Sequence, residues 1–230
     1  MNNYICTNRT AAYKDKIEEI INNKKQAILD FFEVEDNGQF NFNIYIYDTI
    51  EELVQGMKDR GFGKMPSYMC ACQKDEDNSL NFFEPKDDPS ENEWSKEEYE
   101  KVIFHESIHG IQSIIYENQP EWVTEGIAKY LDGTYKSGIP YLLENYINGN
   151  EIPPMRELEE EFGWHDYDSY DYAYLGVSYL IESLGKKEFL KAIKDKDTLK
   201  KISEDLPERA IAFYNQKYSL AKASENGSKK

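Results

Sequence analysis

The apolar residues of this chain change their spacing near residue 90, and that change constrains the fold more than any other feature. Before it, NFNIYIYDT (41–49) sets Phe42, Ile44 and Ile46 against Asn43, Tyr45 and Tyr47, the alternation of a strand with one buried face, and closes at the turn former Asp48. SYMCACQ (67–73) and SLNFFEP (79–85), joined by KDEDN, read as two more strands forming a hairpin. Two helices lie among them. Residues 10–33 place Ile17, Ile20, Ile21, Ala27, Ile28 and Phe31 or Phe32 at helical spacing, and IEELVQGMKDR (50–60) stops at Gly61 and Gly63. Beyond residue 95 only helical spacing recurs, through 95–117, 120–133, 168–184, 186–202 and 207–219. Strands early and helices late predict an α+β fold: a small, mostly antiparallel N-terminal sheet followed by a helical C-terminal half.

A chain of 230 residues fills one compact domain, expected over 1–221 with a flexible tail at 222–230. Polar loops are expected at 87–93 and 148–155. With 44 acidic against 27 basic residues the charge is −17, which repels phosphate backbones and anionic lipid and so argues against nucleic-acid and membrane partners. The opening MNNYICTNRTAAYKDK lacks the pattern of a secretory signal, and no stretch is apolar enough to span a bilayer. Three cysteines, Cys6, Cys70 and Cys72, are an odd number for a disulfide scaffold and fit a reducing compartment, so a cytoplasmic protein is expected. Cys70 and Cys72 read as small residues on one strand face rather than as metal ligands. The acidic cluster Asp75, Glu76 and Asp77 lacks the alternating ligands and central glycine of a calcium loop and reads as a solvated turn.

Chemistry enters with VIFHESIHGIQSIIY, in a helix that a capping box, Ser95 with Glu98, would start. His105 and His109 are four residues apart and share one helix face, close enough for both imidazoles to reach one ion. Glu106 is rotated about 100° from His105 and lies beside that ion, where a general base can take a proton from the attacking water and pass it to a leaving amine. Two of the three histidines in the chain sit in this motif, which argues against chance. A third histidine does not follow soon after His109, which excludes the metzincin variant. Instead PEWVTEGIAKYLDG opens a second helix at Pro120, and Glu125 on that helix completes a two-histidine, one-carboxylate zinc site.

W-V-T-E-G-I-A resembles the W-L-N-E-G-F-A segment that carries the glutamate ligand in gluzincins of the aminopeptidase group. Together with H-E-S-I-H the resemblance spans residues 105–132. It implies one zinc ion (Zn2+) per chain and hydrolysis of peptide bonds, with Glu106 as base. The fold it implies is a thermolysin- or aminopeptidase-like catalytic domain, with the edge strand of a small sheet above the active-site helix. SLNFFEP (79–85) would be that edge strand, where an extended peptide or protein substrate adds by main-chain hydrogen bonds. Asp132 matches an acidic position that orients a zinc-bound histidine in those enzymes. The stretch from His109 to Glu125 is a few residues shorter than in the larger relatives, and no G-A-M-E-N type strand is present. The resemblance is therefore to small stand-alone minigluzincins, as an endopeptidase or a peptidase of narrow specificity.

A donor to the oxyanion is needed across the cleft. In the related enzymes a tyrosine opens the next helix, with a small residue three positions on and a glycine at its end. Tyr170 with Ala173 and Gly185 has that spacing; Tyr174, one turn further, and His165 are the other candidates. Two rival functions stand beside the peptidase. One is a non-catalytic zinc domain that binds a protein partner, although structural zinc is normally closed by four protein ligands. The other is an acidic helical interaction protein whose histidine pair is accidental.

Overall fold

The computed structural model describes residues 2–7, 10–62, 71–74, 78–84, 96–133, 135, 138–160, 162 and 169–227, and the chain divides into two compact units, Met1–Glu117 and Asn118–Lys230. The first unit runs β1 (Asn3–Cys6), α1 (Ala11–Phe32), β2 (Asn43–Tyr47), α2 (Ile50–Asp59), β3 (Ala71–Lys74), β4 (Ser79–Phe83) and α3 (Lys96–Ile115). The four strands among its described residues form one sheet in the order β1-β2-β4-β3. β1 pairs parallel with β2, from Asn3 opposite Asn43 to Cys6 opposite Ile46. β2 pairs parallel with β4, from Asn43 opposite Ser79 to Tyr47 opposite Phe83. Only β3 runs antiparallel, with Lys74 opposite Ser79.

The expectation of a mostly antiparallel sheet is therefore corrected: two of the three pairings are parallel. A parallel partner is reached only by carrying the chain back across the sheet. α1 makes that return between β1 and β2, and α2 lies on the return between β2 and β4. A second correction concerns 79–85. β4 lies between β2 and β3 and is not an edge, and all five of its residues are buried. Among the described residues the edges are β1 and β3.

Each face of β4 has its own cover. On one, Ser79 and Asn81 are met by Arg60 from the end of α2, whose guanidinium donates to Asn81 Oδ1 and, at 3.4 Å, to Ser79 Oγ while lying 3.5 Å from the centroid of the Tyr45 ring. On the other, Phe42 and Leu80 press against Gly110 of α3. A Cβ added there would lie 2.9 Å from Phe42 Cε1 and 3.1 Å from Leu80 Cδ2, so the helix sits on the sheet as closely as a missing side chain allows. α1 packs on α3 in turn, and Phe32 meets Tyr116 edge-on at 5.7 Å. The buried series of α1 runs Ile17, Ile20, Ile21, Ile28, Leu29, Phe31 and Phe32; Leu29 takes the place expected for Ala27, which is exposed.

The second unit contains no strand among its described residues. It runs α4 (Glu121–Asp132), α5 (Gly138–Leu142), a π-helical turn at Leu143–Ile147, α6 (Met155–Glu160), α7 (Ser169–Leu184), α8 (Lys186–Ala192), α9 (Lys196–Ser203) and α10 (Leu206–Gly227). Pro120 caps α4 with an extended backbone, φ −60° and ψ 143°, and its carbonyl accepts from the Val123 and Thr124 amides. α4 buries Trp122, Val123, Gly126, Ile127 and Ala128 and packs along α7, which buries Tyr172, Ala173, Leu175, Val177 and Leu180. A Cβ at Gly126 would lie 2.5 Å from both Ala173 O and Val177 Cγ2. α10 closes on α7 through buried Ala210 and Tyr214, and it continues into the stretch expected to be a tail. None of the described helices is long and apolar enough to cross a membrane.

Candidate metal centre

Helical spacing on α3 sets the first two candidate ligands. His105 and His109 turn their Nε2 atoms toward each other at 3.0 Å, with ring centroids 4.6 Å apart and planes at 82°. Glu125 lies on α4, immediately before Gly126. The ligand atoms of His105, His109 and Glu125 all lie within 4.8 Å of one another, and each residue is half-buried. Two ligands about 2.1 Å from a tetrahedral ion stand about 3.4 Å apart, so the donors need shift only slightly to share one. Two imidazole nitrogens and one carboxylate are a donor set suited to zinc, and three protein ligands are the number found in catalytic rather than structural zinc sites. The residues present therefore fit zinc.

Glu106 is half-buried on α3 beside His105 and is not part of the triad. Asp132 ends α4, two turns after Glu125. Burial, together with the Asp132 carboxylate and the neighbouring phenols of Tyr130 and Tyr218, raises the Tyr174 phenol above its ordinary range. Tyr174 stacks on Tyr135 at 4.3 Å and 21°, and the Tyr135 hydroxyl donates to Asp171 Oδ1. Tyr170, one turn earlier on α7, is 38% exposed, with Lys129 Nζ 5.4 Å from its ring centroid and the Phe162 ring edge-on at 5.1 Å. Tyr174 is thus stacked flat on one ring and is the more buried of the two, whereas Tyr170 is partly exposed between a cation and a ring edge. His165, Ser95, Cys70 and the Asp75–Glu76–Asp77 cluster lie outside the described residues. Cys6 is a free thiol.

Two glycines beside the candidate ligands were given no packing role in the sequence, Gly126 being read only as part of W-V-T-E-G-I-A. Gly110 follows His109 and Gly126 follows Glu125, and each presses its helix against a neighbour with no room for a Cβ. A glycine inside an otherwise periodic helix is the signal that could have found them, since it costs helix stability unless close packing requires it. Asp171 was missed as well. It is buried in the first turn of α7, where the positive end of the helix favours a carboxylate. Comparison with protein-family models and with curated proteins finds no match to the chain.

Proposed function

We propose that the protein is a zinc-dependent peptidase of the gluzincin type, acting within peptide or protein chains or with narrow specificity. The observation that carries the proposal is the convergence of His105, His109 and Glu125 on one point, from two helices whose motifs resemble those of gluzincins. Zinc bound there would polarise the scissile carbonyl and acidify a water molecule. His105 and His109 serve through Nε2, which requires each to be neutral with its proton on Nδ1. Glu125 supplies the charged ligand. The Glu106 carboxylate takes a proton from the attacking water and delivers it to the leaving amine nitrogen. Tyr170 or Tyr174 donates its hydroxyl proton to the oxygen on which negative charge builds, and bracing against Tyr135 favours Tyr174 as the preorganised donor.

An extended substrate would pair with the sheet at β3, the edge strand that runs antiparallel to β4 and packs against α3. The odd cysteine count and the free Cys6 thiol support a cytoplasmic setting as part of the same proposal. The test is a mass-spectrometric digest of a diverse peptide mixture by the zinc-loaded protein, with Glu106→Gln alongside. The expected result is cleavage by the wild type, lost in Glu106→Gln while one zinc per chain is retained. Zinc retained without cleavage by the wild type would favour the protein-binding domain, and absence of zinc would remove the basis of both.

A further inference from the structure

Tyr141 and Tyr146, 48% and 52% exposed, are the two most exposed large apolar side chains among the described residues. In a regular α-helix residues five apart point about 140° away from each other. Here the helix widens: the Asn148 amide donates to the Leu143 carbonyl five residues back at 2.8 Å, closing the π-helical turn that follows α5. The two rings come to one side and meet edge-on, 5.9 Å apart. Side-chain amides pin the turn. Asn145 Nδ2 donates to the Tyr141 carbonyl at 2.8 Å and Asn150 Nδ2 to the Tyr146 carbonyl at 2.6 Å. Asn148 and Asn215 of α10 bond each other reciprocally at 3.1 and 3.0 Å. A π turn is rare and occurs frequently at functional sites, and two exposed rings held by one form a prepared surface.

The surroundings give that surface a sign. Residues 141–160 carry five glutamates and one arginine, and Arg156 is itself paired with Glu160 at 3.5 Å. Tyr172 donates to the Glu151 carbonyl at 3.3 Å, which brings the first turn of α7, with Asp171, against the chain just beyond the π turn. Asp171 is buried, so solvent screens its charge less than that of a surface carboxylate. The Tyr146 phenol is raised above its ordinary range, most by its hydrogen bond with Tyr141 and in smaller part by Asp171, whose charge therefore reaches the pair. The same carboxylate accepts from Tyr135, whose ring stacks on Tyr174, so one tyrosine separates it from the proposed oxyanion donor. Aromatic faces beside negative charge attract a cation, and a guanidinium best because it also stacks. Lys129, over the ring of Tyr170 next to Asp171, makes a contact of that kind within the chain.

We propose that Tyr141 and Tyr146 form a subsite for one arginine or lysine side chain of the substrate, with the cation on the open faces of their rings and arginine preferred. In taking its occupant from a substrate the inference rests on the peptidase reading, and it names the side-chain preference of that site.

The test uses the full chain carrying Glu106→Gln and three blocked peptides of glycine and serine that differ at one central position: arginine, its neutral isostere citrulline, or leucine. Titration calorimetry reads the binding. The arginine peptide is expected to bind about three- to thirtyfold more tightly than the other two, the range for a cation over aromatic rings. Tyr141→Leu with Tyr146→Leu, which changes no charge, should bring the three peptides to within about twofold of one another, whereas Tyr141→Phe with Tyr146→Phe should keep the preference. Equal or undetectable binding of the three peptides overturns the inference. A leucine peptide that binds as tightly as the arginine peptide also overturns it, in favour of a plain apolar surface. So does an arginine preference that survives the leucine substitutions, which would place the cation on the acidic surface at large. Selective arginine binding through the two tyrosines, with no peptide cut by the wild type, would remove the peptidase reading and leave the cation site standing.

Discussion

Replacing Gly126 by alanine tests whether packing of α4 on α7 places the carboxylate ligand. In an open helix the change would stabilise the protein, because alanine exceeds glycine in helix propensity by about 0.8–1.0 kcal/mol. Here the new methyl would sit 2.5 Å from Ala173 O and from Val177 Cγ2, and 2.9 Å from Ala173 C. Two of those atoms are backbone and cannot rotate away, and a β-branched valine in a helix is held to one side-chain rotamer. α4 must therefore retreat by about 1 Å, an overpacking of the kind that costs about 1–3 kcal/mol, and the upper end applies where the obstacle is backbone. After the propensity gain the net loss is about 1–2 kcal/mol, or about 2–8 °C in melting for a chain of this size. Circular dichroism melts and urea midpoints would read it. Gly176→Ala is the control, since its methyl would meet only Leu206 Cδ2 at 3.0 Å and Cγ at 3.3 Å, the end of a side chain that can turn. Gly126→Ala should also weaken zinc binding, because Glu125 moves with the backbone, whereas Gly176→Ala should not. A Gly126→Ala protein that melts at or above the wild type would refute the close approach and the role assigned to it.

Saturating zinc at a hundred times its Kd should raise stability by about 2.7 kcal/mol, and chelation should remove that gain in a denaturant titration. His105→Ala should abolish the zinc dependence. Phenylalanine at the true oxyanion donor should lower kcat by about a hundred- to a thousandfold with little change in KM, so Tyr174→Phe is expected to show the larger loss and Tyr170→Phe the smaller. Burial, aided by Glu33, pushes the Tyr116 phenol from 10.0 to about 12, and Tyr13 and Tyr214 are raised in the same direction by burial. The unfolded chain releases those protons first, so stability should hold below pH 10 and fall between pH 10 and 12. Tyr116→Phe should flatten that fall in urea midpoints taken across the range; a midpoint unchanged up to pH 12 would contradict it.

The histidine pair was legible because four-residue spacing on a helix leaves little freedom, and Glu125 because tryptophan, glutamate and glycine recur at a recognisable spacing. The parallel sheet was not. β1 is a four-residue strand, NYIC, whose half-exposed alternation is too short to register, and without it β2 and β4 have no parallel frame. Ser79, Leu80, Asn81 and Phe82 alternate polar with apolar as a strand with one buried face would, yet all five residues of SLNFF are buried, and a run buried on both faces belongs to a central strand rather than an edge. Its serine and asparagine concealed this, because the cation that satisfies them comes from Arg60, some twenty residues earlier in the chain. The burial of Gln112 was unreadable for a related reason: burial of a polar residue on a helix face is a property of what packs over it.

The glycines beside the ligands bear on anyone who would move this site elsewhere. Grafting His105, Glu106, His109 and Glu125 onto a generic pair of helices would reproduce the donors but leave each a methyl's width from where it is held here. Gly110 and Gly126 bring α3 against the sheet and α4 against α7, and the close contacts they permit set the depth from which each ligand reaches. A transplant would have to take the glycines and the surfaces they touch, Phe42 and Leu80 for one helix and Ala173 and Val177 for the other. The portable unit is thus two helix-to-neighbour contacts, and the candidate metal ligands are the side chains those contacts happen to aim.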